Sequence, residues 1–127
     1  MINLLLLSIF LTIQSVHHET QQSMVFTQDI TDFWQTPEET KLLHTGDCED
    51  FAFLFYYSLP EKARKEVILT WGMLKGQGHV WCEYQGNIID YDGIKTCRRG
   101  YQIKKIDNDI IKRFIVMFQR YLKQKET

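Results

Sequence analysis

Phe51, Ala52, Phe53, Leu54, Phe55, Tyr56 and Tyr57 follow one another without a single charged side chain. Gly46 breaks the chain shortly before them and Pro60 stops any helix shortly after. A helix starting at Asp47 or Cys48 and running through this stretch has no polar face, and such a helix belongs inside the protein. The rest of the chain must therefore wrap around it. With 127 residues there is room for one core and no second.

The flanking segments supply the wrapping. Thr36 caps and Pro37 opens a preceding helix, with Glu38 and Glu39 in its first turn. The polar stretch from Glu61 to Glu66 reads as a solvated connection. Val67 to Trp71 is β-type, and Gly76 and Gly78 mark a turn. His79 to Tyr84 then meets Asn87 to Tyr91 across Gln85-Gly86, the signature of a hairpin, and a weaker strand follows at Tyr101 to Ile106. A last helix, capped near Asp107, repeats apolar residues at helical spacing: Ile110, Ile111, Phe114, Ile115, Phe118, Tyr121 and Leu122. Helices on either side of antiparallel strands predict an α+β fold.

Leu4 to Ile13 is almost unbroken apolar sequence. It is shorter than the roughly 20 residues of a membrane-spanning helix, so no stable membrane span is expected. It reads either as a signal-like segment or as a buried first helix continuing toward Met24. No Lys or Arg precedes it and no small-residue cleavage pattern follows. Localisation tilts toward an exported, periplasmic protein, with the cytoplasm as the alternative.

Fifteen basic residues against sixteen acidic leave a formal charge of -1, which gives no electrostatic case for nucleic acid. Lys95, Arg98, Arg99, Lys104 and Lys105 read as a solvated edge. Three cysteines cannot all pair within one chain, so at least one thiol is free or bonds outside it. Cys82 and Cys97 would pair in an oxidising compartment or stay reduced in a cytosol.

Cys48 stands where the buried helix begins. A cysteine attacks acyl carbon as the thiolate, and an ordinary thiol near pKa 8.5 is mostly protonated at neutral pH. The helix N-terminus favours the anion by at most about 2 kcal/mol. An imidazolium about 4 Å away adds about 4 kcal/mol at an effective dielectric of 20, so the larger contribution has to come from a histidine. His17 and His18 lie in a polar N-terminal stretch and His44 precedes the Gly46 break. His79 opens a strand directly after a glycine, and Asp90 ends the next strand of the same hairpin, placed to orient the ring. Asp92 competes for that role but falls in the turn Tyr91-Asp92-Gly93, and Asp90 is preferred.

These residues resemble the transglutaminase-like (papain-like) superfamily of thiol enzymes. The segments that carry the likeness are Trp34 to Thr40, Gly46-Asp47-Cys48-Glu49-Asp50-Phe51-Ala52, Gly78-His79-Val80-Trp81 and Ile88-Ile89-Asp90. They span roughly residues 30 to 93, and the likeness is greatest to the bacterial transglutaminase-like cysteine peptidases. It implies a Cys-bearing helix packed on an antiparallel sheet. The chain as a whole reads as one domain over 25–127 preceded by the apolar segment 1–24. It implies Cys48 as nucleophile, His79 as base and acid and Asp90 as orienter, acting on a peptide or protein substrate through an acyl-enzyme. The Cys48 backbone N–H would stabilise the oxyanion, with Gln35 or Trp34 as candidate second donors. Water as acceptor makes a peptidase or amidase, and an amine makes a transglutaminase.

Asp47, Glu49 and Asp50 crowd the cysteine with negative charge, which raises a thiol's pKa. Locally they suit a helix start, with Asp47 as N-cap and Asp50 three residues on. No cofactor is required by the thiol chemistry. The superfamily includes periplasmic peptidases with a calcium site beside the cysteine, and Asp47 and Glu49 hold the corresponding positions here. Two other classes compete. One is a zinc module using Cys48, His79, Cys82 and Cys97, opposed by the fact that strand residues three apart face opposite ways. The other is a degenerate domain that keeps the fold for binding alone.

Overall fold

The computed structural model describes residues 3–28 and 33–126; the chain ends and the first residues of the family likeness, 30–32, lie outside the described residues. The apolar helix, α3 (Cys48–Ser58), sits at the centre, with α1 (Leu4–Ser23) and α2 (Pro37–Leu43) before it. Residues Phe51 to Phe55 are all buried, Phe55 completely. At the N-terminus of α3, Asp47 and Asp50 form a reciprocal capping box. Thr36 and Glu39 do the same for α2. Both helix starts follow the sequence reading.

The stretch after Pro60 does not. Glu61–Arg64 forms a short helix, α4, that buries Ala63. The guanidinium of Arg64 turns back onto the carbonyl oxygens of Tyr56, Tyr57 and Leu59, at 3.3, 3.4 and 2.6 Å. The last carbonyls of a helix lack partners within it, so Arg64 closes the end of α3 that Pro60 leaves open. A solvated connection could not do this.

Two short strands, β1 (Val25–Phe26) and β2 (Thr45–Gly46), pair in parallel. The main sheet contains β3 (Ile68–Leu74), β4 (Gln77–Tyr84), β5 (Asn87–Asp90), β6 (Gly93–Lys95) and β7 (Tyr101–Ile103), in the order β6-β5-β4-β3-β7 and antiparallel throughout. Two-residue turns at Lys75-Gly76 and Gln85-Gly86 join β3 to β4 and β4 to β5, and all four residues have positive φ, as such tight hairpins require. Gly78 therefore lies within β4 and not in a turn, and His79 is the third residue of the strand. The last strand stops at Ile103 and crosses back to pair with β3, a placement that propensity alone does not predict.

Alternation along β4 divides its side chains. Val80, Cys82 and Tyr84 join Phe51, Ala52, Phe55 and Ile89 in the main core. Helix α1 adds Ile9 and Ile13 to it, while Leu4, Leu5 and Leu11 are exposed. Among the described residues no helix is long and apolar enough to cross a membrane. The final helix, α5 (Asn108–Lys125), is capped by Asp107 and forms a second cluster in which Ile110, Met117 and Tyr121 meet Trp34 and Phe53. Its buried stripe is narrower than the sequence pattern suggests. Ile111, Ile115 and Leu122 are 44%, 46% and 46% exposed, because α5 is covered along one side only, by Trp34, Phe53 and the start of α2.

Gly72 is the tightest point of the sheet. A Cβ there would run into the Gln102 carbonyl oxygen and lie 2.5 Å from Cη2 of Trp81, so a methyl group would prise β7 from β3. Gly72→Ala is expected to cost about 3 kcal/mol, read as a lower urea midpoint at unchanged slope.

Candidate active site

The site begins with a buried ion pair. His79 Nε2 lies 2.6 Å from Oδ2 of Asp90, and the two side chains are only 9% and 2% exposed. The register Cys82↔Ile89 sets Asp90 beside Trp81, so the carboxylate meets His79 diagonally and not directly across the hairpin. Burial alone would push the Asp90 carboxyl up. The His79 hydrogen bond and charge, then the Tyr101 hydroxyl and the Tyr91 N–H, more than offset this and hold it below the usual carboxylate range. With Nε2 committed to Asp90, Nδ1 is the ring nitrogen left for chemistry.

Asp90 has partners that the sequence reading missed. The Tyr101 hydroxyl donates to Oδ2 at 2.6 Å and in turn accepts from Lys95 Nζ at 2.8 Å. The backbone N–H of Tyr91 donates to Oδ1 at 2.8 Å. Trp81, 1% exposed, stacks on the His79 ring at 5.8 Å and meets Tyr101 edge-on at 5.1 Å, so the imidazole is clamped in its plane. Tyr101 gave no signal in the sequence because its contact depends on the return of β7 to β3. Lys95, taken for part of a solvated edge, also bonds Asp92 at 2.9 Å. Asp92 thus pairs with a lysine and leaves Asp90 to His79. Arg98 pairs with Glu83, so it too has a structural partner.

Cys48 occupies the first position of α3, where a backbone N–H has no partner within the helix. It lines a cavity of about 450 Å³ together with His79, Tyr91, Phe26, Asp47 and Glu49. The ladder between β4 and β5 ends at Cys82↔Ile89, so β5 does not cover Val80, whose backbone N–H favours the Cys48 anion. The thiol itself donates to Oε2 of Glu49 at 3.2 Å. Burial, and after it the Glu49 charge, push the Cys48 thiol up, while Val80 works the other way. The acidic crowding noted in the sequence is therefore real, and in this arrangement the cysteine rests as a thiol.

The carboxylates are affected in turn. Burial and the hydrogen bond to Asp47 push Glu49 up to about 7. Burial and the Asp47 charge push Asp50 up to about 8. Asp50 also accepts the N–H of Gln35 at 2.9 Å. Asp47 and Glu49 both line the cavity wall; carboxylate oxygens suit a hard cation, and these are the residues of this chain that would hold calcium. Among the described residues no group of three or more His, Cys, Asp or Glu side chains is arranged to hold a metal.

The other predicted residues lie elsewhere. The Gln35 side chain accepts from the Thr40 hydroxyl at 2.9 Å, and Trp34 packs against Phe53 in the α5 cluster. Neither lines the Cys48 cavity, because the segment before α2 is pinned to α2 and α5. The four zinc candidates are not gathered. Cys82 is fully buried with its sulfur 3.9 Å from the Ala52 carbonyl, and Cys97 is exposed. Both are free thiols.

Glu49 and Asp50 bind protons in the folded chain at a pH where the unfolded chain has lost them. Their contribution to stability is full below about pH 4 and is lost as pH rises through about 7 to 8. In chelator, the thermal midpoint is expected to fall between about pH 5 and pH 8, and Glu49→Gln to lessen the fall. A midpoint that rises over this range in both proteins would contradict the assignment.

No protein-family model and no curated protein matches the chain. Solved structures match it in fold. Legionella pneumophila LapG superposes with a TM-score of 0.72 at 18% identity, over 89% of this chain and 78% of that one. Its EGTA-treated form gives 0.69 at 18% identity, and its calcium-bound form 0.67 at 17%, each over 87% of this chain and 78% of that one. The chain has the α+β, transglutaminase-like fold of LapG.

Proposed function

We propose that this protein is a thiol peptidase or amidase that cleaves a peptide or protein amide through an acyl-enzyme on Cys48. The observation that carries the reading is the buried His79–Asp90 pair, whose histidine lines the same cavity as Cys48. LapG, a cysteine protease, shares the fold and is consistent with it.

In this reading Nδ1 of His79 takes the Cys48 proton, and the sulfur attacks the scissile carbonyl carbon. The free N–H of Cys48 at the start of α3 faces the oxyanion that forms. Asp90 holds the imidazolium through Nε2 and stabilises its charge without taking the proton. His79 then protonates the leaving amine, and water, deprotonated by the same ring, releases the acid and regenerates the thiol. The 3.2 Å bond from Cys48 to Glu49 has to be given up for this to begin.

Calcium would bind through Asp47 and Glu49, and its charge would neutralise the two carboxylates beside the sulfur. Both calcium-bound and EGTA-treated forms of LapG exist, which supports testing the same ion here. Iodoacetamide labelling of Cys48 against pH, with Cys48→Ala as blank, is the direct measurement. With calcium the labelling midpoint is expected below the ordinary thiol value of about 8.5, and chelation or His79→Ala should each raise it by at least about one pH unit, or about 1.4 kcal/mol. A midpoint at the ordinary value under all conditions, indifferent to His79, would sink the proposal.

A further inference from the structure

Helix α1 reaches into the frame of the triad. His17, 5% exposed, places Nε2 at 2.6 Å from the backbone oxygen of Asp90. A carbonyl only accepts, so Nε2 carries the hydrogen. One turn later the Gln21 amide donates to the carbonyl of Tyr91 at 2.9 Å. His17 and Gln21 share a face of α1, and the two carbonyls they hold are consecutive, at the point where β5 ends. The His17 ring also meets Phe51 and Phe55 edge-on, at 5.6 and 6.1 Å. Those rings belong to α3, the helix that carries Cys48. His17 thus touches the nucleophile's helix on one side and the orienter's main chain on the other.

A phenylalanine would fill this apolar space more cheaply, since burying an imidazole without a hydrogen bond costs free energy. What histidine adds is the Nε2–H donor. We propose that His17, assisted by Gln21, is a positioning residue: it fixes the Asp90 main chain relative to α3, and so fixes where the carboxylate meets His79. This rests on reading Cys48, His79 and Asp90 as the reactive set. Triads depend on such support, because misplacement by about 1 Å costs on the order of 100-fold in rate.

The test uses the full chain with calcium present and reads two quantities, the pH midpoint of Cys48 labelling and the proton resonance of the His79–Asp90 hydrogen bond. His17→Phe is expected to raise the midpoint by about one pH unit, a tenfold loss of thiolate at neutral pH, and to shift or broaden the resonance. His17→Gln, whose amide reaches about as far as Nε2, should restore both, and Gln21→Leu should move both by less than His17→Phe. A folded His17→Phe with wild-type midpoint and resonance overturns the proposal. If His17→Phe does not fold, Gln21→Leu decides in the same way: a shift supports positioning and its absence refutes it. A wild-type protein that labels like a free thiol overturns the peptidase reading itself, and that result needs no variant.

Discussion

A carboxylate that is 2% exposed keeps its charge only if donors surround it, and the architecture can be read from how Asp90 meets that demand. His79 comes from β4, Tyr101 from β7, and the Tyr91 N–H from the turn that follows Asp90 itself. Two of the donors therefore come from strands on one side of β5 in the sheet order, and the third from the chain just past its end. The position of β7 beyond β3, odd for a chain that otherwise forms successive hairpins, is what brings Tyr101 over the face to Asp90. The absence of a side chain at Gly72 lets β7 come that close. Sheet order, a glycine and a buried charge are thus one constraint seen at three scales.

The N-terminus of α3 shows the opposite electrostatics. There the same residues serve helix stability and hinder reactivity. Asp47 and Asp50 cap the helix reciprocally, and carboxylates are favourable at that end of the dipole. Beside a thiol they are unfavourable to the anion, and Glu49 adds a direct hydrogen bond to the sulfur. One group of charges holds Asp90 ionised and another holds Cys48 protonated, on two walls of one small site. A thiolate in this setting needs positive charge from the imidazolium, from a cation, or from both, because the helix dipole alone is worth at most about 2 kcal/mol.

Much of this was legible in the sequence because it is local. The capping boxes, the Gln85-Gly86 turn and the unbroken apolar run of α3 each depend on residues within a few positions of one another. Cys48, His79 and Asp90 are singled out by the same local settings together with a family likeness. What was not legible depends on tertiary return. Tyr101 gains its role only when β7 crosses back to β3, and Arg64 only when α4 folds onto the end of α3. Half the apolar face of α5 finds no neighbour, which no periodicity can foretell. His17 did leave a trace. It continues the stripe of Ile9 and Ile13 at intervals of four, and a polar residue on an apolar stripe asks for a buried partner. Taking it for part of a polar stretch overlooked that spacing.

Strand β4 joins the two halves of the molecule. Its even-numbered residues Val80, Cys82 and Tyr84 pack into the core of α1 and α3. Its odd-numbered residues supply His79, the Trp81 ring that clamps it, and Glu83, which accepts from the Trp81 indole at 3.2 Å. Because side chains alternate along a strand, a slip of one residue would carry His79 into the core and Val80 to the site. The core and the site therefore share a single register and fail together. Two-residue turns fix it at both ends of β4, each built from residues of positive φ and each compatible with only one pairing of its strands. The Lys75-Gly76 and Gln85-Gly86 turns take no part in chemistry. They nevertheless decide which face of the sheet the histidine occupies.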